Sequence, residues 1–595
     1  MKRALILMAV STMWIGCGGG GGGGDGGGGG GGGNDIGVTL STAGGATSVT
    51  SGGALTVKAN VTNSTTMVVT WSLTGPSCPS NCGTITPTSI LDFAVYAAPA
   101  NVTSQFTVTV TATSTENTTK SGSVTLTVLP KVCPPGTSLL SGQYAFLLQG
   151  FDQGNRDGIA VIGSATSDGC GIITGGTADY YLGPNVAGNA SLSGSYTVGS
   201  DKRGMLRLII GATTVNFAIA LGKIDGGVAF KGAITEMDPA VGVGPVLSGS
   251  MWRQDSAAFA LNRITGPFAF VFNGWNGSGP REAMGGTLTA DGAGVFTGGP
   301  MDDKILGSAP PVTTASWSGG YATPSSSGRS VVTAPALTGT HGSAVMYVVA
   351  PGQMIFMISD TSSSGRVFSG NMVAQTGPFS LASLSGNCVT LQTANYHQPA
   401  YPEMNATVLA VVSGDGTGGL TITSYDQNFG GNFVTGSNLQ DTYTVDANGQ
   451  VKLYDSTLTL GGKWYLTGPN TGLMLGFDYG VSVGTITPQS AGPFSAASIS
   501  GSYFASQAPG AAFNSMNGSG VATSTGGGTL VTTMDLNSNG VVAAGQAANG
   551  TLTVSSSGRA VDTSGNVIYV VSPSTFLMMN HATVYPVIQV FDQGP

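Results

Sequence analysis

Charged side chains are scarce in this chain of 595 residues. Lys and Arg number 20 and Asp and Glu number 28, so 8% of residues are charged, against about 25% in ordinary globular proteins. With a net charge of −8 and so few basic residues, the sequence lacks the basic footprint of a nucleic-acid-binding protein. It also lacks a basic stripe that would hold anionic lipid. We therefore predict no nucleic-acid partner.

Histidine and glutamate are rare, which limits the chemistry available. The three histidines, His341, His397 and His581, show no His-x-His or His-x3-His spacing, so we predict no metal site and no cofactor. A glycosidase needs two carboxylates about 5–10 Å apart, and Glu236 with Asp238 is the nearest pair. Residues two apart on a strand share one face. This pair is therefore either a candidate for hydrolase chemistry or two solvated carboxylates.

Strong helix formers are scarce too, whereas glycine (97 residues), serine, threonine, asparagine and valine are abundant. Abundant β-branched residues between frequent turn residues favour strands joined by tight turns. Hydrophobic residues make up 41% of the chain, which is enough to build cores. A chain this long exceeds a single core. The composition predicts an all-β protein of several domains.

The first 35 residues join a short, mostly apolar run to a glycine tract. Met1-Lys2-Arg3 precedes twelve such residues, a glycine and Cys17, and glycine then continues almost unbroken to residue 33. This layout resembles a bacterial lipoprotein signal peptide. The resemblance implies a signal peptide at 1–16, acyl chains on Cys17 that bind the membrane, and a flexible tether at 17–35. It also implies an outer-membrane location, and we expect the body to face outward. The alternative, a transmembrane anchor, needs about 20 apolar residues.

The remaining cysteines are few. Cys78 and Cys82 are close in sequence, and in an exported protein they predict a short-loop disulfide. Cys133 and Cys170 are candidates for a second disulfide. Cys388 is left over and aligns with aromatic positions of the repeats described below, so we predict a buried, inert thiol. A nucleophilic cysteine would need an exposed, electropositive surrounding.

Residues 36–130 predict one β-sandwich domain. Apolar residues alternate with threonine and serine, the period of half-buried strands. The segments at 69–73, 96–99 and 108–114 resemble a bacterial immunoglobulin-like domain. That resemblance implies a two-sheet sandwich with Trp71 in its core and without the inter-sheet disulfide of antibody domains.

The rest of the chain contains an internal repeat. An opening phrase, an apolar residue followed by Ser or Thr and Gly, places its glycine at positions 142, 266, 386 and 501, spaced by 124, 120 and 115 residues. A closing phrase ends in Gln254, Gln375 and, more loosely, Gln489. Copies two and four share Ser-Ser-Ser-Gly-Arg, ending at Arg329 and Arg559. The four copies cover residues 133–258, 259–378, 379–493 and 494–595.

A period of this length predicts units that bury their own cores, or pairs that share one. Each copy offers about seven or eight short strands joined by Asp-Gly, Asn-Gly and Pro-Gly turns. We predict one antiparallel β-barrel or closed sandwich for each copy, because closure removes exposed sheet edges. Two copies in one larger barrel is the alternative.

Aromatic residues in polar, turn-like surroundings are candidates for a glycan-binding surface. They are Trp275, Tyr180, Tyr181, Tyr396 and Tyr401. The alternative is that they pack over the ends of strands.

These observations predict a non-enzymatic, membrane-tethered lipoprotein. Its string of β-domains would act in adhesion, in binding an extracellular glycan or protein, or in envelope structure. One alternative is a β-barrel carrier of a small apolar ligand, because eight-stranded barrels can hold one. The other is a polysaccharide-active hydrolase.

Overall fold

The computed structural model describes residues 35–593, apart from residues 79, 91, 101, 103, 153–157, 183–184, 240–243, 276–280, 308–311, 315–317, 334–341, 361–365, 399–400, 478–479, 509–515 and 582–584. The predicted signal peptide and the lipidation site at Cys17 therefore lie outside the described residues. The chain divides into two compact units between Val132 and Cys133. In the part that is described, no helix is long and apolar enough to cross a membrane.

The helices of the described residues are single 3₁₀ turns. They are Ala43–Gly45, Thr137–Leu139, Ser256–Ala258, Leu261–Arg263, Leu381–Ser383 and Ala496–Ser498. Strands form the rest of the regular structure, which confirms the all-β prediction.

The first unit contains two four-stranded sheets, in the orders β1-β3-β6-β5 and β2-β8-β7-β4. Val57 and Tyr96 of one sheet share a buried core with Val110 and Leu126 of the other, so the two sheets pack face to face. Trp71 lies half-buried at the edge of this core. The strands are β1 (Gly37–Thr42), β2 (Ser48–Thr50), β3 (Ala54–Thr62), β4 (Val69–Thr74), β5 (Thr84–Pro87), β6 (Phe93–Ala97), β7 (Phe106–Ser114) and β8 (Ser121–Leu129).

In the second unit each sequence copy folds into one closed antiparallel barrel. Barrel 1 is a ring of eight consecutive strands. Barrel 2 closes eight strands through the pairing of β18 with β19, and β20 is added on β19. The strands of barrel 1 are β9 (Ser141–Asp152), β10 (Gly158–Asp168), β11 (Ile172–Leu182), β12 (Asn185–Val198), β13 (Arg203–Ile210), β14 (Thr213–Asp225), β15 (Val228–Glu236) and β16 (Pro245–Arg253). Those of barrel 2 are β17 (Thr265–Trp275), β18 (Arg281–Asp291), β19 (Val295–Ile305), β20 (Val312–Thr314), β21 (Ser318–Tyr321), β22 (Arg329–Thr333), β23 (Gly342–Ala350), β24 (Gln353–Asp360) and β25 (Val367–Ala374).

Barrels 3 and 4 repeat this plan. Barrel 3 closes through the pairing of β27 with β28 and adds β29 on β28, and barrel 4 is a plain ring of eight. The strands of barrel 3 are β26 (Ser385–Gln398), β27 (Tyr401–Asp415), β28 (Gly419–Phe429), β29 (Asn432–Gly436), β30 (Leu439–Val445), β31 (Gln450–Tyr454), β32 (Leu460–Gly468), β33 (Thr471–Gly476) and β34 (Gly480–Pro488). Those of barrel 4 are β35 (Ser500–Gln507), β36 (Met516–Thr525), β37 (Thr529–Ser538), β38 (Val541–Val554), β39 (Arg559–Asp562), β40 (Val567–Ser572), β41 (Thr575–Met579) and β42 (Ile588–Gln593).

Side chains pack the barrel interiors. Alternate residues of a strand point to the same face, so Phe268, Phe270 and Phe272 of β17 all enter the interior of barrel 2. There they join Met346 of β23 and Phe356 of β24 in one buried cluster. Eight strands leave an interior just wide enough for such side chains.

In three barrels a tyrosine on the fourth strand of the ring is bonded to the opening phrase. Tyr196, Tyr321 and Tyr443 each donate a hydrogen bond, 2.9 Å long, to the carbonyl of the residue two positions before the opening glycine. In barrel 4 the position of the tyrosine is occupied by Leu552. Its backbone N–H donates to the carbonyl of Gly528, as the backbone N–H of each tyrosine donates to the corresponding glycine. The opening phrase at the start of each of these three copies is therefore bonded to the fourth strand of the same barrel.

The four barrels pack in sequence through the same elements. The first three strands of one barrel lie against the sixth to eighth strands of the next, so that apolar residues of both form one cluster. Representative pairs are Ile162 with Tyr347 between barrels 1 and 2, Ala283 with Leu475 between barrels 2 and 3, and Leu409 with Leu577 between barrels 3 and 4.

Barrel 4 also packs against barrel 1, which closes the set into a ring. Phe504 on the first strand of barrel 4 is buried against Ala220 and Ala233, on the sixth and seventh strands of barrel 1. This contact uses the same strand positions as the other three. Head-to-tail contacts of this kind generate a ring when the rotation closes.

The contact between barrels 4 and 1 depends on Gly222. A Cβ atom on Gly222 would overlap the ring of Phe504. We expect Gly222→Trp to separate barrel 4 from barrel 1 while each barrel stays folded, because the position faces out of barrel 1. Small-angle scattering of the purified chain should then give a larger radius of gyration.

The matched control is Thr214→Trp, an exposed position on the same strand β14. It should leave the radius of gyration at the wild-type value. An unchanged radius in Gly222→Trp would contradict a closed ring.

Candidate functional site

Each barrel carries a buried aspartate on its third strand, at the interface with the next barrel. A buried carboxylate is costly unless a cation or a hydrogen-bond donor pairs with it. All four find a cation on the neighbouring barrel, and we call each such cluster a lock. The pairs are Asp179 with Arg329, Asp302 with Lys463, Asp426 with Arg559, and Asp535 with Arg203.

In the lock between barrels 1 and 2, three side-chain donor groups of barrel 2 hold the aspartate. Arg329 donates to both oxygens of Asp179, through Nη2 at 2.6 Å and Nε at 2.8 Å. The hydroxyl of Tyr347 donates to Oδ2 at 2.7 Å. Burial raises the pKa of Tyr347, and the neighbouring carboxylate raises it further. The hydrogen bonds that Arg329 donates to Asp179 raise the pKa of its guanidinium. The guanidinium therefore stays charged and the phenol neutral at physiological pH.

The lock between barrels 3 and 4 has the same geometry. Arg559 donates to Asp426 through Nη2 at 2.7 Å and Nε at 2.6 Å, and the Tyr569 hydroxyl donates at 2.7 Å. These arginines end the Ser-Ser-Ser-Gly-Arg phrase that copies two and four share. The shared phrase is thus explained by a shared inter-barrel contact.

The lock between barrels 2 and 3 also neutralises a buried aspartate, but with different residues. Barrels 2 and 4 each pair their lock arginine with a tyrosine in strand register. In barrel 3 the residue paired with the tyrosine, Tyr465, is Gln450 instead of an arginine. Gln450 donates to Asp302 at 3.2 Å and Tyr465 donates at 2.6 Å. The positive charge comes instead from Lys463, two residues before the tyrosine, whose Nζ lies 2.6 Å from the other oxygen. The lysine thus compensates for the neutral glutamine.

The lock between barrels 4 and 1 has no tyrosine. Arg203 donates to both oxygens of Asp535, at 2.9 and 3.0 Å. Its partner in register is Ala220, at the place of the tyrosine. Phe504 of barrel 4 packs against this alanine. An apolar contact therefore replaces the phenol hydrogen bond.

The closing glutamines tie each barrel to the next. Gln254, Gln375 and Gln489 each donate through Nε2 to the carbonyl of the residue that follows the lock tyrosine, at 2.6, 2.7 and 2.8 Å. Each also donates to a second carbonyl of the same neighbouring barrel. The closing phrase is thus a joint between barrels.

The lock predicts a strong effect of removing one partner. Asp179→Ala leaves Arg329 and the Tyr347 hydroxyl facing an interface with no carboxylate. Breaking a buried pair in this way costs about 3–5 kcal/mol. We expect chemical unfolding of Asp179→Ala to show a loss near the lower end, about 3 kcal/mol, because Arg329 is partly exposed.

The control is Asp446→Ala, which removes an exposed carboxylate 2.9 Å from Lys452. Surface pairs contribute at most about 1 kcal/mol, so this variant should unfold close to wild type. Equal losses in the two variants would show that the lock does not hold the barrels.

The carboxylate pair suggested by the sequence, Glu236 and Asp238, belongs to the interface between barrels 4 and 1. Glu236 accepts hydrogen bonds from the backbone N–H of Asp238 at 2.6 Å and from Asn537 Nδ2 of barrel 4 at 2.8 Å. Asp238 accepts from the side-chain amide of Asn216 at 2.6 Å. Burial raises the pKa of Glu236 to about 8. Glu236 is fully buried, whereas Asp238 is partly exposed.

The raised pKa of Glu236 makes stability depend on pH. The native state keeps a proton that the unfolded chain releases above its ordinary pKa of 4.5. Wild-type stability therefore falls as the pH rises from about 4.5 to about 8 and then levels off. Glu236→Gln cannot ionise, so its advantage over wild type should grow between pH 5 and pH 8.5. At about 1.4 kcal/mol for each pKa unit, we expect a gain of roughly 2–4 kcal/mol.

Chemical unfolding of both proteins at the two pH values measures this gain. Glu116→Gln, at an exposed glutamate of the first unit, should keep the wild-type decline. A wild-type stability that rises across this window would contradict the assignment.

A charged cluster at one end of barrel 2 was not anticipated. Arg366 contacts Glu282 and Asp303, the latter at 3.2 Å. Burial, and then the charge of Asp303, raises the pKa of Glu282 to about 8. Glu282 stands opposite Gly274 in register, on the interior face of the strand pair. The other barrels have Ile159, Ala406 and Met516 at the corresponding position on the second strand. The sequence signal for this cluster is a glutamate at a repeat position where the other three copies have an apolar residue.

Polar side chains form a belt on the faces turned toward the ring interior. Gln149 of barrel 1 donates to Ser369 Oγ of barrel 2 at 2.7 Å. Ser248 of barrel 1 donates to Asn517 of barrel 4 at 3.1 Å. Gln149 and Ser248 pair in register, so the belt runs from barrel 2 through barrel 1 to barrel 4. Asn273 stands opposite Ser369 and extends it within barrel 2.

The aromatic residues do not form the exposed platform that the sequence suggested. Trp275 is 6% exposed, and its ring centroid lies 4.4 Å from that of Phe151 in barrel 1. Tyr181 is buried in the same cluster. Both were misassigned as surface residues because the interface that covers them is formed by another copy.

The other two described aromatics are half-buried. Tyr180 packs against the interior of barrel 1. The Tyr396 ring lies 4.8 Å from that of Phe429. The side chain of Tyr401 lies outside the described residues. These contacts agree with the alternative hypothesis, in which the aromatic residues pack over the ends of strands.

The cysteines are placed as the sequence suggested. Disulfides join Cys78 to Cys82 and Cys133 to Cys170. Cys388 is a free, buried thiol, and burial raises its pKa to about 12. A thiol of such high pKa is not a nucleophile at physiological pH.

In the described part of the chain, no three metal-ligating side chains come together. His581 lies against the Phe433 ring, with centroids 4.7 Å apart. His341 and the side chain of His397 lie outside the described residues.

Comparisons with known proteins give little. No protein-family model and no curated protein matches the chain. One solved structure found to be similar is that of a protein of unknown function from the DUF3598 family of Nostoc punctiforme. It is 8% identical, covers 56% of this chain and 98% of its own, and has a TM-score of 0.13. A TM-score this low supports no inference about family or function.

Proposed function

We propose that the protein is a non-enzymatic lipoprotein tethered to the outer membrane through acyl chains on Cys17. Its ring of barrels would be a rigid body for adhesion, for binding an extracellular glycan or protein, or for envelope structure. The observation that carries the proposal is the closed ring with a buried lock at each of its interfaces. Such a body keeps its exposed strands in fixed relative positions, which suits a scaffold that presents a binding surface.

The outer wall of the ring is the surface left for a partner. It is formed by the fourth and fifth strands of the barrels, beyond the residues with which the fifth strands enter the locks. Apolar side chains are exposed on this wall at Met205, Val331, Leu439 and Val541. They are spread over all four barrels, which favours a broad, repeated contact over a single pocket.

Two alternatives are less well supported. A carrier of a small apolar ligand needs space inside a barrel, whereas Phe270, Phe272 and Phe356 pack the interior of barrel 2. A polysaccharide hydrolase needs two accessible carboxylates, whereas Glu236 is buried and hydrogen-bonded across an interface. These contacts favour a binding role.

Metabolic labelling with palmitate tests the tether. Wild-type protein should carry the label and stay with the membrane fraction. Cys17→Ser should lose both, because its only proposed acylation site is gone. Cells that express wild type should adhere to glycan-coated or protein-coated surfaces, and cells that express Cys17→Ser should not, because the body is no longer attached.

Cys388→Ser is the matched control, since it removes a buried thiol that lies far along the chain from the proposed anchor. It should behave as wild type in both assays. Persistent label in Cys17→Ser would refute the tether, and equal adherence of all strains would refute the adhesive role.

A further inference from the structure

Arg281 is a buried cation without a counter-charge. The residue is 2% exposed. Its Nε donates to Asn273 Oδ1 at 2.8 Å. Among the described residues, no acceptor lies within hydrogen-bond distance of Nη1 or Nη2, and no carboxylate pairs with the guanidinium. Every lock arginine, by contrast, holds an aspartate.

The position of Arg281 is inside the ring. It stands opposite Trp275 in register, on the face of β17 and β18 that points out of barrel 2. Trp275, on that face, packs against Phe151 of barrel 1. Ala283, on the same face, packs against Val481 and other residues of barrel 3. Arg281 therefore lies where barrels 1, 2 and 3 approach one another, at the end of the polar belt that includes Asn273.

The unpartnered side-chain groups of Arg281 and Asn273 are all donors. Nη1 and Nη2 of Arg281 are joined by Asn273 Nδ2, which is also buried without a hydrogen-bond partner. Asn273 Oδ1 already accepts from Arg281, which fixes the amide so that its N–H groups remain available. A set of donors with a net positive charge matches a ligand that has several acceptor oxygens and a negative charge.

We propose that the ring binds a small oxyanion, a carboxylate or phosphate group, between Arg281 and Asn273. An unpaired buried cation is costly, and such groups are normally paired. Burial lowers the pKa of Arg281 to about 9, which is the sign of a charge with no partner nearby. Water would satisfy the N–H groups but would leave the charge uncompensated. The planar fork of the guanidinium suits two oxygens of one anion.

Calorimetric titration of the purified full-length chain tests the site, with sodium phosphate and sodium acetate as separate probes and sodium chloride at matched ionic strength as the reference. Wild type should show saturable binding of at least one probe. Arg281→Met should weaken it about tenfold or more, the loss expected for charge-assisted hydrogen bonds. Arg207→Met, at an exposed arginine of barrel 1, should bind as wild type.

A second variant keeps the test decisive if Arg281→Met does not fold. Asn273→Asp places a carboxylate beside the guanidinium and so supplies the anion from within the chain. It should abolish probe binding and raise the melting temperature measured in chloride alone. The proposal is overturned if wild type binds neither probe saturably, or if Arg281→Met or Asn273→Asp binds as tightly as wild type. Because the readout is independent of membrane attachment, its failure would leave the proposed tether untouched.

Discussion

The architecture of the second unit depends on a buried aspartate that its own barrel does not neutralise. Asp179, Asp302, Asp426 and Asp535 sit on outer faces of third strands, and each is paired by a cation from the neighbouring barrel. Separating two barrels would leave a carboxylate at an apolar interface unless water replaced the lost donors. The hydrophobic clusters bring the barrels together, and the locks set the orientation in which they fit.

Two of the four interfaces of the ring share one lock geometry, and they alternate with two interfaces whose locks differ from it and from each other. The contacts between barrels 1 and 2 and between barrels 3 and 4 use the same arginine and tyrosine geometry. Between barrels 2 and 3, Lys463 and Gln450 bind the aspartate. Between barrels 4 and 1, Arg203 binds it, and Phe504 packs where the other locks have a tyrosine. The four copies are therefore alike in fold but not interchangeable in position.

Several of the few charged side chains of this protein lie between barrels. In a chain that is 8% charged, the four lock aspartates and Glu236 all lie in inter-barrel contacts. Glu236 illustrates this, since its carboxylate accepts a hydrogen bond from Asn537 across the interface that closes the ring. Arg281 departs from the pattern because it is buried in the ring interior and its charge has no counterpart.

The sequence by itself determined the all-β class, the four copies and one closed barrel for each, because alternation, turn residues and repeated phrases are local signals. It also suggested both cysteine pairings, and Cys388 as a core residue through its alignment with aromatics. Only the tertiary structure decided how the barrels meet. Trp275 and Tyr181 seemed accessible because their covering surfaces come from another copy. The partners of each lock are 133 to 332 residues apart. Pairing at such separations depends on how whole barrels pack, which no local pattern records.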